Sequence, residues 1–94
     1  MRALPVVTVM IGIGIAVGLA PPAAASQGSY LGELQPKLTF LTGDQLLTEG
    51  YRVCRFVGVG RPAGDAIPMV MKDLNVTVAA AFDIVPAAVE ELDC

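Results

Sequence analysis

The sequence contains no histidine. That one lack removes the commonest general base, the commonest metal-ligating side chain and the usual switch near neutral pH. Cysteine is almost as scarce. Cys54 and Cys94 are the only two, and they form no C-x-x-C pair. No cysteine follows the apolar run near the start, so a dithiol redox centre and a bacterial lipid anchor are both excluded. Charged residues make up only 16% of the chain and lean acidic, with a formal net of −3. This balance argues against nucleic acid and against anionic membrane surfaces as partners. No stretch of useful length alternates with the two-residue period of a half-buried strand.

What is present begins with an export signal. Arg2 supplies a positive start, Leu4 to Ala20 is an uncharged apolar run, and Pro21-Pro22 breaks it just ahead of Ala23-Ala24-Ala25. Small residues at the −3 and −1 positions are what signal peptidase accepts, so cleavage is expected between Ala25 and Ser26. The division is therefore a signal peptide over 1–25 and one small domain over 26–94, secreted or held in the cell envelope. The apolar run is at the short end of the spanning range and is thinned by Gly12, Gly14 and Gly18. Membrane contact is expected only through an uncleaved signal. Loss of Arg2 makes the mature chain one unit more negative.

A domain this short buries little surface and usually needs a staple. Two cysteines in an oxidising compartment supply one, and Cys54–Cys94 reads as a disulfide. Closing a loop of this length contributes about 4 kcal/mol in the chain-entropy account. The whole margin of so small a domain is roughly 5 kcal/mol.

The mature chain shows helical spacing throughout, which predicts an all-α bundle of three to four short helices. Ser29 to Leu41 carries Tyr30, Leu31, Leu34, Leu38 and Leu41 at helix-like intervals, with Pro36 limiting its continuity. Thr42-Gly43-Asp44-Gln45 has the form of a capping box. The helix it opens sets Leu46, Leu47, Gly50, Tyr51, Val53, Cys54 and Val57 on one face, and Asp44, Gln45, Thr48, Glu49, Arg52 and Arg55 on the other. Gly58 and Gly60 end it. Asp65 is expected to cap a third helix with Pro68 in its first turn. Ala66, Ile67, Val70, Met71 and Leu74 share one side of that helix. After a turn at Asn75-Val76, Thr77 caps a fourth helix whose stripe is Val78, Ala81, Phe82, Val85, Ala88, Val89 and Leu92. Cys94 falls roughly 160° from Val78 at 100° per residue, so this helix is expected to unwind by Asp93 and turn Cys94 back towards Cys54.

Gly50, Val53 and Cys54, a glycine-containing loop, an Ala/Phe/Val-rich helix and a terminal cysteine together make a pattern. It resembles the small secreted mycobacterial proteins grouped as domain of unknown function 732, over roughly Tyr30 to Cys94. In that family a G-x-x-V-C element is followed by a late helix whose cysteine pairs with the first. Leu92-Asp93-Cys94 departs from the family's aromatic-Cys or Leu-Cys ending. The resemblance implies a compartment and a fold, and no activity.

No catalytic residue, cofactor or metal ligand is expected. Gly58-Val59-Gly60-Arg61-Pro62-Ala63-Gly64 lacks the preceding strand and the lysine of a phosphate-cradling loop and reads as a linker. Glu90, Glu91 and Asp93 collect at a helix C-terminus and are expected to pair with Arg55 and Arg52. Asn75-Val76-Thr77 matches a glycosylation sequon but serves equally as a turn and N-cap. The expected function is a non-enzymatic interaction protein, with the Gly58–Asp65 loop and the acidic C-terminal end as its surfaces and an unknown protein as its partner. The alternative is a carrier of a small apolar ligand, in a cavity lined by Tyr51, Phe56, Met71 and Phe82.

Overall fold

The computed structural model describes residues 22–94. The leader expected over 1–25 lies outside the described residues apart from Pro22–Ala25. The described chain is all-helical: α1 (Pro22–Leu34), α2 (Gly43–Gly58), a 3₁₀ turn (Ala63–Asp65), α3 (Ala66–Leu74) and α4 (Val78–Glu91). None of these helices is long and apolar enough to cross a membrane.

α1 begins at Pro22, earlier than the spacing suggests, and stops at Leu34. Pro36 sets that end, because the residue before a proline is forced out of helical geometry. Two turn bonds onto the Leu34 carbonyl, from the N–H of Lys37 (3.0 Å) and of Leu38 (2.8 Å), fold the chain back. Leu38 and Leu41 enter the core from this connection.

α2 opens with the expected capping box. Thr42 Oγ1 accepts from the Gln45 N–H (3.1 Å), and Gln45 Oε1 accepts from the Thr42 N–H (2.9 Å). Asp44 lies in the first turn and Arg55 in the last, as the helix dipole prefers. Leu46, Gly50 and Val53 are buried as expected, and so is Glu49, which the helical pattern places in solvent.

α3 starts differently from the expectation. Asp65 closes the 3₁₀ turn with helical backbone angles and makes no side-chain cap. The preceding turn already continues into the helix, so no extended cap residue separates the two. Pro68 does fall in the first turn, where no intrahelical donor is needed. Asn75 then ends α3 in a left-handed conformation (φ 55°), and Thr77 Oγ1 caps α4 by accepting from the Ala80 N–H at 3.2 Å.

α4 is the central helix and packs on α1, α2 and α3. Its buried residues are Ala80, Ala81, Ile84, Val85, Ala87, Ala88 and, just past its end, Leu92. They span an arc of about 160° on a helical wheel. The expected stripe is thereby corrected: Val78 and Phe82 are 48% and 60% exposed. A helix touched on three sides is covered where its neighbours approach closest, and the alanines permit that approach.

α4 ends at Glu91, and Asp93 takes a left-handed conformation (φ 59°). This reversal brings Cys94 to Cys54 of α2, where the two form a disulfide with Cα atoms 5.0 Å apart.

Candidate functional site

Three surface features carry enough chemistry to be considered, and the Gly58–Asp65 loop contributes to two of them. The first is an apolar groove of about 280 Å³ where the 3₁₀ turn and the start of α3 meet α4. Ala63, Gly64 and Ile67 form one wall, and Phe82, Val85, Pro86 and Val89 the other. Pro86 reaches this surface because a helical proline leaves no donor to bury and presents its ring to solvent. Glu90 stands at the end of the groove.

The second is a shallow basic dish of about 400 Å³ around the C-terminal end of α2. Arg52, Arg55 and Arg61 surround it, with Phe56, Val59 and Met69 as its apolar part. The Arg61 guanidinium lies over the Phe56 ring, 4.5 Å from its centre, which fixes an otherwise free side chain.

The third lies between α2 and α3. Glu49 is 3% exposed and its Oε2 has no hydrogen-bond partner. Arg52 Nε stands 4.0 Å from Glu49 Oε1 and 3.5 Å from Asp73 Oδ2. These are the only ion pairs among the described residues. A cleft of about 420 Å³, with Asp44 and Thr48 on its rim, leads to this cluster. Burial pushes the Glu49 carboxyl up to about 7. The neighbouring Asp73 carboxylate adds to this rise, and Arg52 opposes it. Close by, the Tyr30 phenol donates to the Leu46 carbonyl (2.6 Å) and is held well above the usual tyrosine range, first by burial and then by Glu49.

The expected pairing of Glu90, Glu91 and Asp93 with Arg55 and Arg52 does not form. Arg52 faces α3 and is taken by Asp73, while Arg55 turns into the basic dish. The residues expected to line one cavity for an apolar cargo are divided between separate surface features. Phe56 belongs to the dish, Phe82 to the groove, and Tyr51 accepts a hydrogen bond from Gln27 of α1 (3.0 Å). No three acidic or cysteine side chains among the described residues are grouped as metal ligands would be.

Sequence reasoning missed Glu49, although a signal was present. At 100° per residue Glu49 lies about 60° from Leu46 and about 40° from Val53, on the shoulder of the buried face. Gly50, in mid-helix among apolar residues, marks a close approach nearer the centre of that face, so the buried arc extends from it past Val53 to Glu49. Compared with protein-family models, with curated proteins and with solved structures, the chain finds no match in any of the three.

Proposed function

We propose that the chain is a non-enzymatic interaction protein of the cell envelope or extracellular space, and that its apolar groove docks a segment of a partner protein. The observation that carries this reading is Phe82. It is a large aromatic side chain, 60% exposed, on the wall of a groove whose other members are apolar. Exposed apolar patches of this kind on small proteins mark recognition surfaces. The occupant is a protein segment that offers an apolar side chain beside a lysine or arginine. Glu90 closes the groove, and Glu90, Glu91 and Asp93 are all without an ion-pair partner among the described residues. An anionic margin of this kind selects a cationic flank on the partner.

The carrier reading is less well supported. At about 280 Å³ the groove falls below the roughly 300–1,000 Å³ of small-molecule sites, and it is open rather than enclosed. Export rests on the composition of the leader, and the Cys54–Cys94 bridge fits an oxidising compartment. Membership of the domain of unknown function 732 family is proposed on the Gly50, Val53, Cys54 and Cys94 pattern, to which the bridge now adds its pairing. The lack of histidine supports the non-enzymatic assignment.

The test is a photoreactive phenylalanine analogue placed at Phe82, with the same analogue at Lys37 as a control, in cells that make the protein. The expected product is a cross-link from position 82 to a protein segment with an apolar residue beside a lysine or arginine, abolished by Val89→Lys. A low-mass apolar adduct would replace the reading with the carrier. Equal yields from positions 82 and 37 would remove the groove from the function.

A further inference from the structure

We propose that Glu49 and Asp73 share one proton, forming a carboxyl–carboxylate pair that ties α2 to α3 in acidic surroundings and loosens as the pH rises towards neutrality. The pair would give this histidine-free chain a pH-responsive contact built from carboxylates alone.

Geometry makes the first part of the case. Glu49 Oε2 is covered by protein and has no partner, and an ionised carboxylate oxygen in that position is among the most unfavourable groups a fold can contain. The Asp73 carboxylate, arriving from α3, lines the same cleft and meets the same guanidinium: Arg52 Nε stands 3.5 Å from Asp73 Oδ2 and 4.0 Å from Glu49 Oε1. Two carboxylates facing each other repel. One proton between them turns the repulsion into a charge-assisted O–H···O⁻ bond.

Arg52 decides which partner holds the proton. Its Nε is 3.5 Å from Asp73 Oδ2 but 4.0 Å from Glu49 Oε1, so Asp73 is the better-neutralised anion and Glu49 the protonated donor. With the proton in place, Glu49, Asp73 and Arg52 sum to zero charge. Without it, they leave a net negative charge at the junction of two helices. Asp73 is also next to the last residue of α3, where the helix dipole disfavours further anions.

The groups facing Glu49 are few. From its own helix there is Arg52, and from α3 Asp73. From α1 there is the Tyr30 phenol, whose proton is already committed to the Leu46 carbonyl. No charged group of α4 acts on it. On deprotonation the proton leaves to solvent through the cleft rimmed by Asp44 and Thr48.

The sign of the effect follows. The folded-state carboxyl titrates near 7 and its unfolded counterpart near 4.5. Between those values the folded chain holds a proton that the unfolded chain has lost, so stability falls as the pH rises. Below the window both states are protonated, and above it both are ionised.

The test is urea unfolding of the oxidised chain from pH 4.5 to 8.5, beside Glu49→Gln. For the native chain the unfolding constant is expected to rise by up to tenfold per pH unit between about 5 and 7 and then level off. Glu49→Gln keeps a donor but cannot ionise, so its profile is expected to be flat and its stability above that of the native chain at pH 8. Equal slopes for the two proteins would overturn the proposal. Should the variant fail to fold, the carboxyl carbon of Glu49 is followed by NMR in the native chain. A midpoint near 7 supports the shared proton, and a midpoint near the ordinary 4.5 overturns it. Calcium ions added at pH 8 are the last arm. If they restore stability as fully as acid does, the pair is a cation site and not a proton site.

Discussion

A methyl group added at Gly50 has no room. Its Cβ would lie 2.7 Å from Leu92 Cδ1 and 2.8 Å from both Cζ and Oη of Tyr30. Neither neighbour yields readily, since Tyr30 is fully buried and hydrogen-bonded to Leu46, and Leu92 is held next to the disulfide. Alanine in a helix interior gains about 1 kcal/mol over glycine, whereas overpacking costs about 1–3 kcal/mol. Gly50→Ala is therefore expected to lower stability by about 1–2 kcal/mol, because the clash involves three atoms at once. Gly32 of α1 provides the contrast: it is exposed, and a methyl group there would meet nothing within 4 Å. Gly32→Ala is expected to raise stability by about 0.5–1 kcal/mol. Urea midpoints of the two variants, compared with the native chain, check both signs. Shifts in the same direction would mean that the Tyr30–Leu92 contact over Gly50 is not close.

Helix ends give the element-scale prediction, because the three caps expected from the sequence behave differently. Thr42 and Thr77 accept from the third backbone N–H of their helices, and Asp65 makes no such bond. Thr42→Ala and Thr77→Ala are each expected to cost about 1 kcal/mol, while Asp65→Ala costs no more than a few tenths. Thermal unfolding of the three variants checks the order, and a loss at Asp65 as large as that at Thr42 would contradict it. The same contrast shows how far elements are legible in the sequence. Thr42 with Gln45 is a local code, complete within four residues, and the fold realises it unchanged. Asp65 does not cap because the chain before it is already turning, which depends on how the loop crosses α4. The stripe of α4 departs from expectation for a related reason. Periodicity marks the apolar residues of a helix, but Val78 and Phe82 are left exposed by where α1, α2 and α3 approach. Glu49 escapes a sequence reading because it lies on a boundary, and Asp73, whose charge acts on it, comes from another helix. The groove is legible only in part: its loop stands out in the sequence, but the pairing of that loop with Phe82 and Pro86 is a tertiary fact.

At the scale of the whole molecule, α4 and the disulfide act together. α4 and α2 each pack on all of the other helices, and the bridge fastens the far end of α4 to the C-terminal half of α2. The contact is reinforced where Leu92 sits over Gly50, so the last turn of the chain is held by packing as well as by a covalent bond. Breaking the bond frees Cys94 and the left-handed turn at Asp93 that delivers it to α2. It also returns to the unfolded chain the freedom of a loop with a separation of 40 residues. In the chain-entropy account that freedom corresponds to about 4 kcal/mol. The margin for a domain of this length is roughly 5 kcal/mol. Reduction is therefore expected to remove most of the stability and to leave a substantial unfolded fraction at room temperature. Far-UV circular dichroism with and without reductant measures this, with a Cys54→Ala, Cys94→Ala double variant to separate loss of the bridge from effects of the reductant. If the reduced chain kept its helix content and urea midpoint, the margin would lie in the alanine packing of α4 instead, and the bridge would serve only to hold the acidic C-terminal end against α2.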